Sequence, residues 1–162
     1  MGTRSMILRP VGDVWEGRYC HWDGYPTHLG YELIEIVQRD GLEAATKILI
    51  DDHGRWSALH SEVLKDEIVG SVVKRLRYSD VYEDQIAGYG AFWPDGNLLT
   101  YDDHDCGAEW AYLLAADGLW VAACDGGSNP TWIGKVKWNT GMEEARLLLT
   151  LIEQSYVAEE SQ

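Results

Sequence analysis

Residues 14–30 read VWEGRYCHWDGYPTHLG and predict a strand, a tight turn and the start of a helix within one short stretch. Val14–Cys20 is rich in residues that favour β-structure, so we expect a strand that ends near Cys20. Asp23-Gly24 is a turn signal, and Pro26 fixes its own φ and restrains the residue before it. Thr27 is expected to be the N-cap of the following helix, whose apolar residues recur at helical spacing.

The same stretch is the best candidate for a ligand site. A helix N-terminus offers unpaired N–H groups and a partial positive charge that stabilises an anion by about 0.3–1 kcal/mol. Gly30 in the first turn would allow a ligand to approach the backbone closely. Trp22 and Tyr25 have faces on which a base can stack, and His21 and His28 supply further donors. These features suit a nucleotide whose phosphate lies at the helix start and whose base lies on an aromatic ring.

A purely structural interpretation of this stretch carries about the same weight. Trp22 and Tyr25 would then belong to the core, Asp23-Gly24 would only turn the chain, and Thr27 would only cap the helix. The stretch also lacks the glycine-rich loop and lysine of a P-loop.

The segment that precedes this stretch predicts its partner strand. Arg4–Arg9 reads as a first strand, and a turn at residues 10–13 returns the chain as a β-hairpin. Antiparallel pairing would bring Arg4 and Ser5 beside the loop at residues 20–26, although a surface edge position is the alternative for Arg4. No metal ligand or cofactor is assigned. The candidate ligand-binding residues are therefore Arg4, Ser5, His21, Trp22, Asp23, Tyr25, Thr27 and His28.

Two short motifs carry a resemblance to a known family. Thr3-Arg4-Ser5 and His21-Trp22-Asp23-Gly24-Tyr25-Pro26 resemble the opening and the HWDGYP string of an uncharacterised family of small phage, prophage and actinobacterial proteins. The resemblance covers the N-terminal part of the chain, to about residue 40. It implies a cytoplasmic setting in a bacterial host cell and assigns no catalytic mechanism. In a phage, it implies counter-defence by sequestering or degrading a nucleotide immune signal.

Length and composition predict one domain. The 162 residues can bury a core at residues 1–157, and residues 158–162 are expected to form a frayed tail. We expect neither a membrane span nor a signal peptide, because no suitable apolar run is present. Cys20, Cys106 and Cys124 show no CxxC spacing, which fits a reducing cytosol.

The charge distribution suggests a second function. A formal net charge of −14 argues against direct nucleic-acid binding, which needs a basic footprint. Residues 78–134 contain ten acidic residues and no lysine or arginine. Such a segment can mimic a nucleic-acid backbone and block a host enzyme, whereas its commoner effect is solubility. Asp103, His104 and Asp105 are a looser alternative for a metal site, although Leu114 stands where an EF-hand needs glutamate.

Local patterns along the chain predict the remaining elements. We expect helices at about residues 27–39 and 42–50 and a last helix from Met142 to about Tyr156. Residues 55–80 favour either a helix near Ser61 or a strand at residues 72–76. Further strands are predicted at residues 83–93, 98–101, 109–116, 119–124 and 131–138.

These elements predict an α+β fold. We expect an antiparallel sheet of about five or six strands, with an N-terminal helix pair and a C-terminal helix packed on it. The strands on either side of Asp117-Gly118 are apolar enough to form the sheet centre, because an Asp-Gly turn between two apolar runs is a strong hairpin signal.

Three functions compete at this stage. The first is binding of a nucleotide-type ligand at the loop around Trp22, without catalysis. The second is an acidic interaction protein that binds a host protein through residues 78–134. The third is a metal- or histidine-dependent hydrolase of a nucleotide signal that uses His21 or His28 as general acid or base and Asp23 as the residue that orients it or as a metal ligand. We favour the first, and a site shared between subunits of a homo-oligomer is compatible with it.

Overall fold

The computed structural model describes residues 3–78, 81–101, 108–124 and 130–160. Within these ranges the chain forms one sheet of ten strands and three α-helices, so the α+β class is confirmed. The helices are α1 (Tyr31–Asp40), α2 (Leu42–Thr46) and α3 (Met142–Glu160), and π-helical turns at Pro26–Gly30 and Lys47–Asp51 precede α1 and follow α2. The strands are β1 (Ser5–Val11), β2 (Val14–Cys20), β3 (Arg55–Leu59), β4 (Val72–Tyr78), β5 (Val81–Ile86), β6 (Gly90–Trp93), β7 (Leu99–Tyr101), β8 (Trp110–Ala115), β9 (Gly118–Ala123) and β10 (Thr131–Val136).

The sheet is larger than the predicted five or six strands. Its order is β10-β9-β8-β1-β2-β3-β6-β5-β4, and β7 pairs with the first half of β2. One reason for the larger number of strands is that a turn divides the single strand predicted at residues 83–93. In this turn Gly88 has a φ of +81°. Glycine adopts this left-handed conformation without steric cost, so the segment forms two antiparallel strands, β5 and β6.

The prediction of a purely antiparallel sheet is wrong at two places. β1 pairs in parallel with β8, and β2 pairs in parallel with β3. Both pairs join strands with long connections, which parallel pairing requires. The hairpin β8–β9 was expected at the sheet centre, but β2 occupies the middle of the strand order and β8 lies two strands away.

The helices cover one face of the sheet, as predicted. β1 contributes Ile7, β3 contributes Trp56 and β8 contributes Tyr112 to this core, and all three side chains are fully buried. The burial of apolar helix faces against the sheet is the main stabilising contribution expected for such a layer. The helix residues of this core include Leu29, Leu33, Ile34, Ile36, Val37, Leu49, Ala145 and Leu149.

A second apolar cluster lies on the opposite face of the sheet. Successive side chains of a strand point to opposite faces, so Met6 and Leu8 of β1 belong to this cluster although Ile7 does not. Ala111 and Ala122 are buried in the same cluster, and half-buried tryptophan rings pack around it. The central strands are therefore buried on both faces. The half-buried aromatic residues are Trp15, Tyr19, Trp120 and Trp132.

Several element boundaries differ from the predictions. Residues 60–71 contain no helix, and residues 72–78 form β4, which decides the ambiguous segment in favour of a strand. α3 continues to Glu160, through residues 158–160 that the sequence pattern placed in a tail. Among the described residues, the helices are too short or too polar for any of them to span a membrane.

Candidate functional site

The predicted hairpin brings the N-terminus against the loop that follows β2. Ser5 pairs with Cys20, and the backbone N–H of Gly24 donates to the carbonyl of Thr3 at 2.9 Å. A Cβ at Gly24 would lie 2.6 Å from Ser5 Cβ, so only glycine fits this approach. The hydroxyl of Tyr112 donates to the Gly24 carbonyl. The two motifs that carry the family resemblance therefore contact each other, and Ser5 is fully buried under the loop.

The start of the first helix already holds an acceptor from this chain. Both the backbone N–H and the hydroxyl of Thr27 donate to Oε1 of Glu153, at 3.2 and 3.1 Å. The helical segment begins at Pro26, so the prediction of Thr27 as N-cap is wrong. Proline is favoured at the first helical position because it has no N–H to leave unpaired. The carboxylate from α3 thus lies where the sequence placed a ligand phosphate.

His28 and Gly30 also have structural partners. Nε2 of His28 lies 3.2 Å from the carbonyl oxygen of Leu59, and the backbone N–H of His28 donates to Tyr25. A Cβ at Gly30 would lie 2.8 Å from a methyl group of Leu149, so the open side of this glycine faces α3. The expectation that Gly30 admits a ligand is therefore wrong, because helix packing fills the space.

Trp22 has the accessibility that the sequence predicted for a stacking platform. All eight tryptophans lie in the described residues, and Trp22 is the most exposed of them, at 37%. Its backbone N–H donates to the carbonyl of Ser57 at 2.8 Å, and that of His21 donates to Trp56 at 3.0 Å. These bonds extend the pairing of β2 with β3 into the loop. The indole is thus presented from a fixed backbone.

A groove runs beside Trp22 on the sheet face that carries Tyr19. Its cavity volume is about 350 Å³. Ala58 and Ala91 pair across β3 and β6, and Gln85 of β5 pairs with Ala91, so these three residues lie side by side beneath the groove. Asp23, which has a φ of 55°, forms the rim next to Trp22. The full lining consists of Trp22, Asp23, Ser57, Ala58, His60, Leu76, Glu83, Gln85 and Ala91.

A second cavity adjoins this groove. Its volume is about 290 Å³, and it shares His60 and Gln85 with the first. Glu62 and Arg75 also line it, and Arg75 forms an ion pair with Glu67. The arginine in this cavity is thus neutralised by a neighbouring carboxylate.

A cluster of aromatic and cationic side chains flanks Trp22 on its other side. Nδ1 of His21 lies 2.8 Å from the hydroxyl of Tyr19, and the His21 ring centroid is 4.6 Å from Trp22 and 6.0 Å from Trp93. The guanidinium of Arg55 stacks over Trp93, with Cζ 4.5 Å from the ring centroid. Arg55 is also 3.7 Å from the exposed carboxylate of Asp95.

Arg4 lies close to Tyr19 in the same cluster, beside the loop that follows β2, as the sequence predicted. Burial raises the pKa of the Tyr19 hydroxyl, and the nearby charges of Arg4 and Arg55 oppose that rise. Arg4 is exposed, and its carbonyl accepts from Glu109 and Trp110. The structure therefore brings Arg4, His21 and Trp22 to one surface, whereas Thr27 and His28 lie on the helix side.

Sequence reasoning missed Tyr19, Arg55, Gln85 and Trp93. Tyr19 could have been found, because residues two apart on a strand share a face and Tyr19 precedes His21 by two. Arg55, Gln85 and Trp93 lie on β3, β5 and β6, and no local pattern links these segments to the loop.

No group of three histidine, cysteine or carboxylate side chains in the described ranges is placed to hold a metal ion. The proposed alternative at Asp103, His104 and Asp105 lies outside the described residues, as does Cys106. Cys20 is a free, buried thiol, and burial raises its pKa to about 12.

The acidic segment 78–134 is described only in part. Three of its described carboxylates have cationic neighbours: Asp84 lies 3.9 Å from Lys74, Asp95 lies beside Arg55, and Asp117 is 3.1 Å from Lys135. Asp80, Asp102, Asp103, Asp105 and Asp125 lie outside the described residues. The docking of a host protein on this segment stays a hypothesis.

Comparisons of the chain with family models, with curated proteins and with solved structures give no match. The groove beside Trp22 and the cationic cluster that flanks it are therefore the features of the molecule that indicate a function.

Proposed function

We propose that the protein binds a small ligand of the nucleotide type, with the base stacked on Trp22. The observation that carries this proposal is an exposed, backbone-anchored indole at the wall of a groove of about 350 Å³. Ligand sites are typically concave cavities of about 300–1,000 Å³. Stacking of one base on an aromatic side chain stabilises binding by about 1–3 kcal/mol.

The phosphate is assigned to the cationic side of Trp22. The helix start is an unsuitable position, because Glu153 already accepts from Thr27 and its charge would repel an anion. The ring of His21 contacts the rings of Trp22 and Trp93, and the guanidinium of Arg55 stacks over Trp93. Guanidinium groups bind phosphate oxygens in a bidentate geometry. In a chain with a net charge of −14, Arg4 and Arg55 are a local attraction for an anionic group, and at Arg55 a phosphate would compete with the exposed carboxylate of Asp95, 3.7 Å away.

We propose binding rather than hydrolysis, because neither candidate histidine lines the groove beside Trp22. His21 is bonded to Tyr19 and His28 to the Leu59 carbonyl. In the phage or prophage setting that the N-terminal motifs imply, a protein that retains an intact nucleotide would act in counter-defence by withholding an immune signal from its receptor.

Native mass spectrometry of the protein mixed with a pool of cyclic and linear nucleotides, with and without magnesium, tests the proposal. We expect one nucleotide to be retained intact. Trp22→Ala should lose it, Trp22→Phe should retain part of it, and Tyr25→Ala should retain all of it. Tyr25 is the matched control, because it lies on the same loop and is 36% exposed but does not line the groove.

The other outcomes point to the alternatives. A nucleotide recovered as a hydrated product would replace binding by hydrolysis. A pool that passes through unchanged would refute nucleotide binding and direct attention to a protein partner of the acidic segment. Circular dichroism of Trp22→Ala shows whether a loss of binding results from unfolding. If the alanine variant unfolds, the partial binding expected of Trp22→Phe still tests the proposal.

A further inference from the structure

The acidic side chains that line the groove, Asp23 and Glu83, offer acceptors for hydrogen bonds. Asp23 lines the groove, and neither a hydrogen bond nor an ion pair joins it to another described residue. An ionised carboxylate only accepts hydrogen bonds, and the amide of Gln85 adds one acceptor oxygen alongside its donors. Glu83 and Glu62 add further carboxylates to the two cavities, and Arg75 is paired with Glu67.

We infer that this groove selects nucleobases that carry an exocyclic amino group, an inference that rests on the proposed nucleotide binding. An amino group donates to a carboxylate or an amide oxygen, as in the pairing of Asp or Glu with cytosine and of Gln with adenine. A carbonyl oxygen at the same position would face the carboxylate of Asp23 and leave it unpaired, whereas the amide of Gln85 can turn and donate to a carbonyl, so the discrimination falls mainly to Asp23. Sites that are built to accept a hydrogen bond reject the analogue that lacks the donor.

The geometry places these acceptors at the edge of a base that stacks on Trp22. Asp23 follows Trp22 directly, and the Trp22 backbone is bonded to Ser57, next to Ala58. Trp22 extends β2 beside Ser57 of β3, and the register Ala58, Ala91, Gln85 crosses two further spacings, so the backbone of Gln85 stands about 14 Å from that of Trp22 at three strand spacings. Ala58 and Ala91 beneath the groove have small side chains, so they leave room for the plane of a base between Asp23 and Gln85. A base in that plane presents its edges to Asp23 on one side and to Gln85 on the other.

Paired nucleoside 5′-monophosphates test the inference by isothermal titration calorimetry. The cytidine and uridine compounds differ mainly by an amino or an oxo group at one ring position, and the guanosine and inosine compounds differ by one amino group. We expect the amino member of each pair to bind about tenfold more tightly or better. Asp23→Asn should reduce that ratio in at least one pair. Asparagine is tolerated at the positive φ of position 23, so the loop is kept.

Asp13→Asn is the matched control, because Asp13 lies in the β1–β2 turn at the far end of β2. It should leave both ratios unchanged. Equal affinities within both pairs, or a preference that survives in Asp23→Asn, would overturn the inference and leave nucleotide binding intact. Failure of all four monophosphates to bind, together with an unchanged nucleotide pool in the mass spectrometer, would remove the proposed function as well.

Discussion

Replacement of Glu153 by alanine tests the contact that closes the helix start. Oε1 of Glu153 accepts two hydrogen bonds from Thr27, at 3.2 and 3.1 Å. Loss of an acceptor at a helix N-terminus costs about 0.5–2 kcal/mol, and a carboxylate there adds about 0.3–1 kcal/mol through the helix dipole. Thr27 is half-buried, so water restores part of this loss. We therefore expect the free energy of unfolding to fall by about 1–2 kcal/mol, which corresponds to a melting temperature lower by roughly 3–7 °C.

The assay is urea denaturation followed by circular dichroism at 222 nm, a conventional wavelength for helix. Glu153→Gln keeps an acceptor oxygen and loses the charge, so it should lose about half as much stability as the alanine variant. Gln154→Ala, one residue along on the exposed side of α3, should be neutral to about 0.5 kcal/mol. Sulfate should stabilise Glu153→Ala more than the unaltered protein, because it can replace the missing carboxylate. A Glu153→Ala variant as stable as Gln154→Ala would refute the reasoning.

Three further predictions concern other parts of the structure. Gly24→Ala should lower the free energy of unfolding by about 1–3 kcal/mol, because its Cβ would meet Ser5. Gly141→Ala, whose Cβ meets nothing within 4 Å, should cost no more than about 1 kcal/mol in the same urea titration, because alanine is only a poorer N-cap residue for α3. Burial lowers the pKa of His53, so below its ordinary value of 6.5 the unfolded chain binds a proton that the folded chain does not. Stability should therefore fall as the pH is lowered from 6.5 towards the folded pKa, and unfolding free energies of His53→Gln measured across that range should fall less steeply. The buried Cys20 thiol should react with a thiol reagent only after denaturation, and rapid labelling of that cysteine in the native protein, located by peptide mapping, would contradict its burial.

The local elements of the fold were largely predictable, because their signals lie within a few residues. The β1–β2 hairpin was predicted from two strand-forming runs around a short turn. Its register pairs Ser5 with Cys20, so Ser5 lies near the loop that follows β2, as expected. The β8–β9 hairpin follows from Asp117-Gly118 between two apolar runs. Residues 55–80 were left open between a helix near Ser61 and a strand at residues 72–76, because apolar spacing over a short window fits more than one structure.

The candidate site was predictable only for the residues that one segment contributes. Trp22 was expected to offer a stacking face, and it is exposed beside a groove. Thr27 was expected to leave N–H groups for an anion, and Glu153 takes them instead. These two residues are 126 positions apart, so no local pattern could indicate the contact.

The sequence by itself determined the period of most elements outside residues 55–80, the turn at Asp23-Gly24, the acidic excess and the dense loop around Trp22. Only the tertiary structure decided that β1 joins β8 in parallel, that α3 closes the first helix, and that Arg55 and Gln85 lie on either side of Trp22. The physical reason is the range of the interactions. Periodicity and turn chemistry act between near neighbours in the chain, whereas strand order and groove lining depend on which distant apolar surfaces are buried together when the whole chain folds.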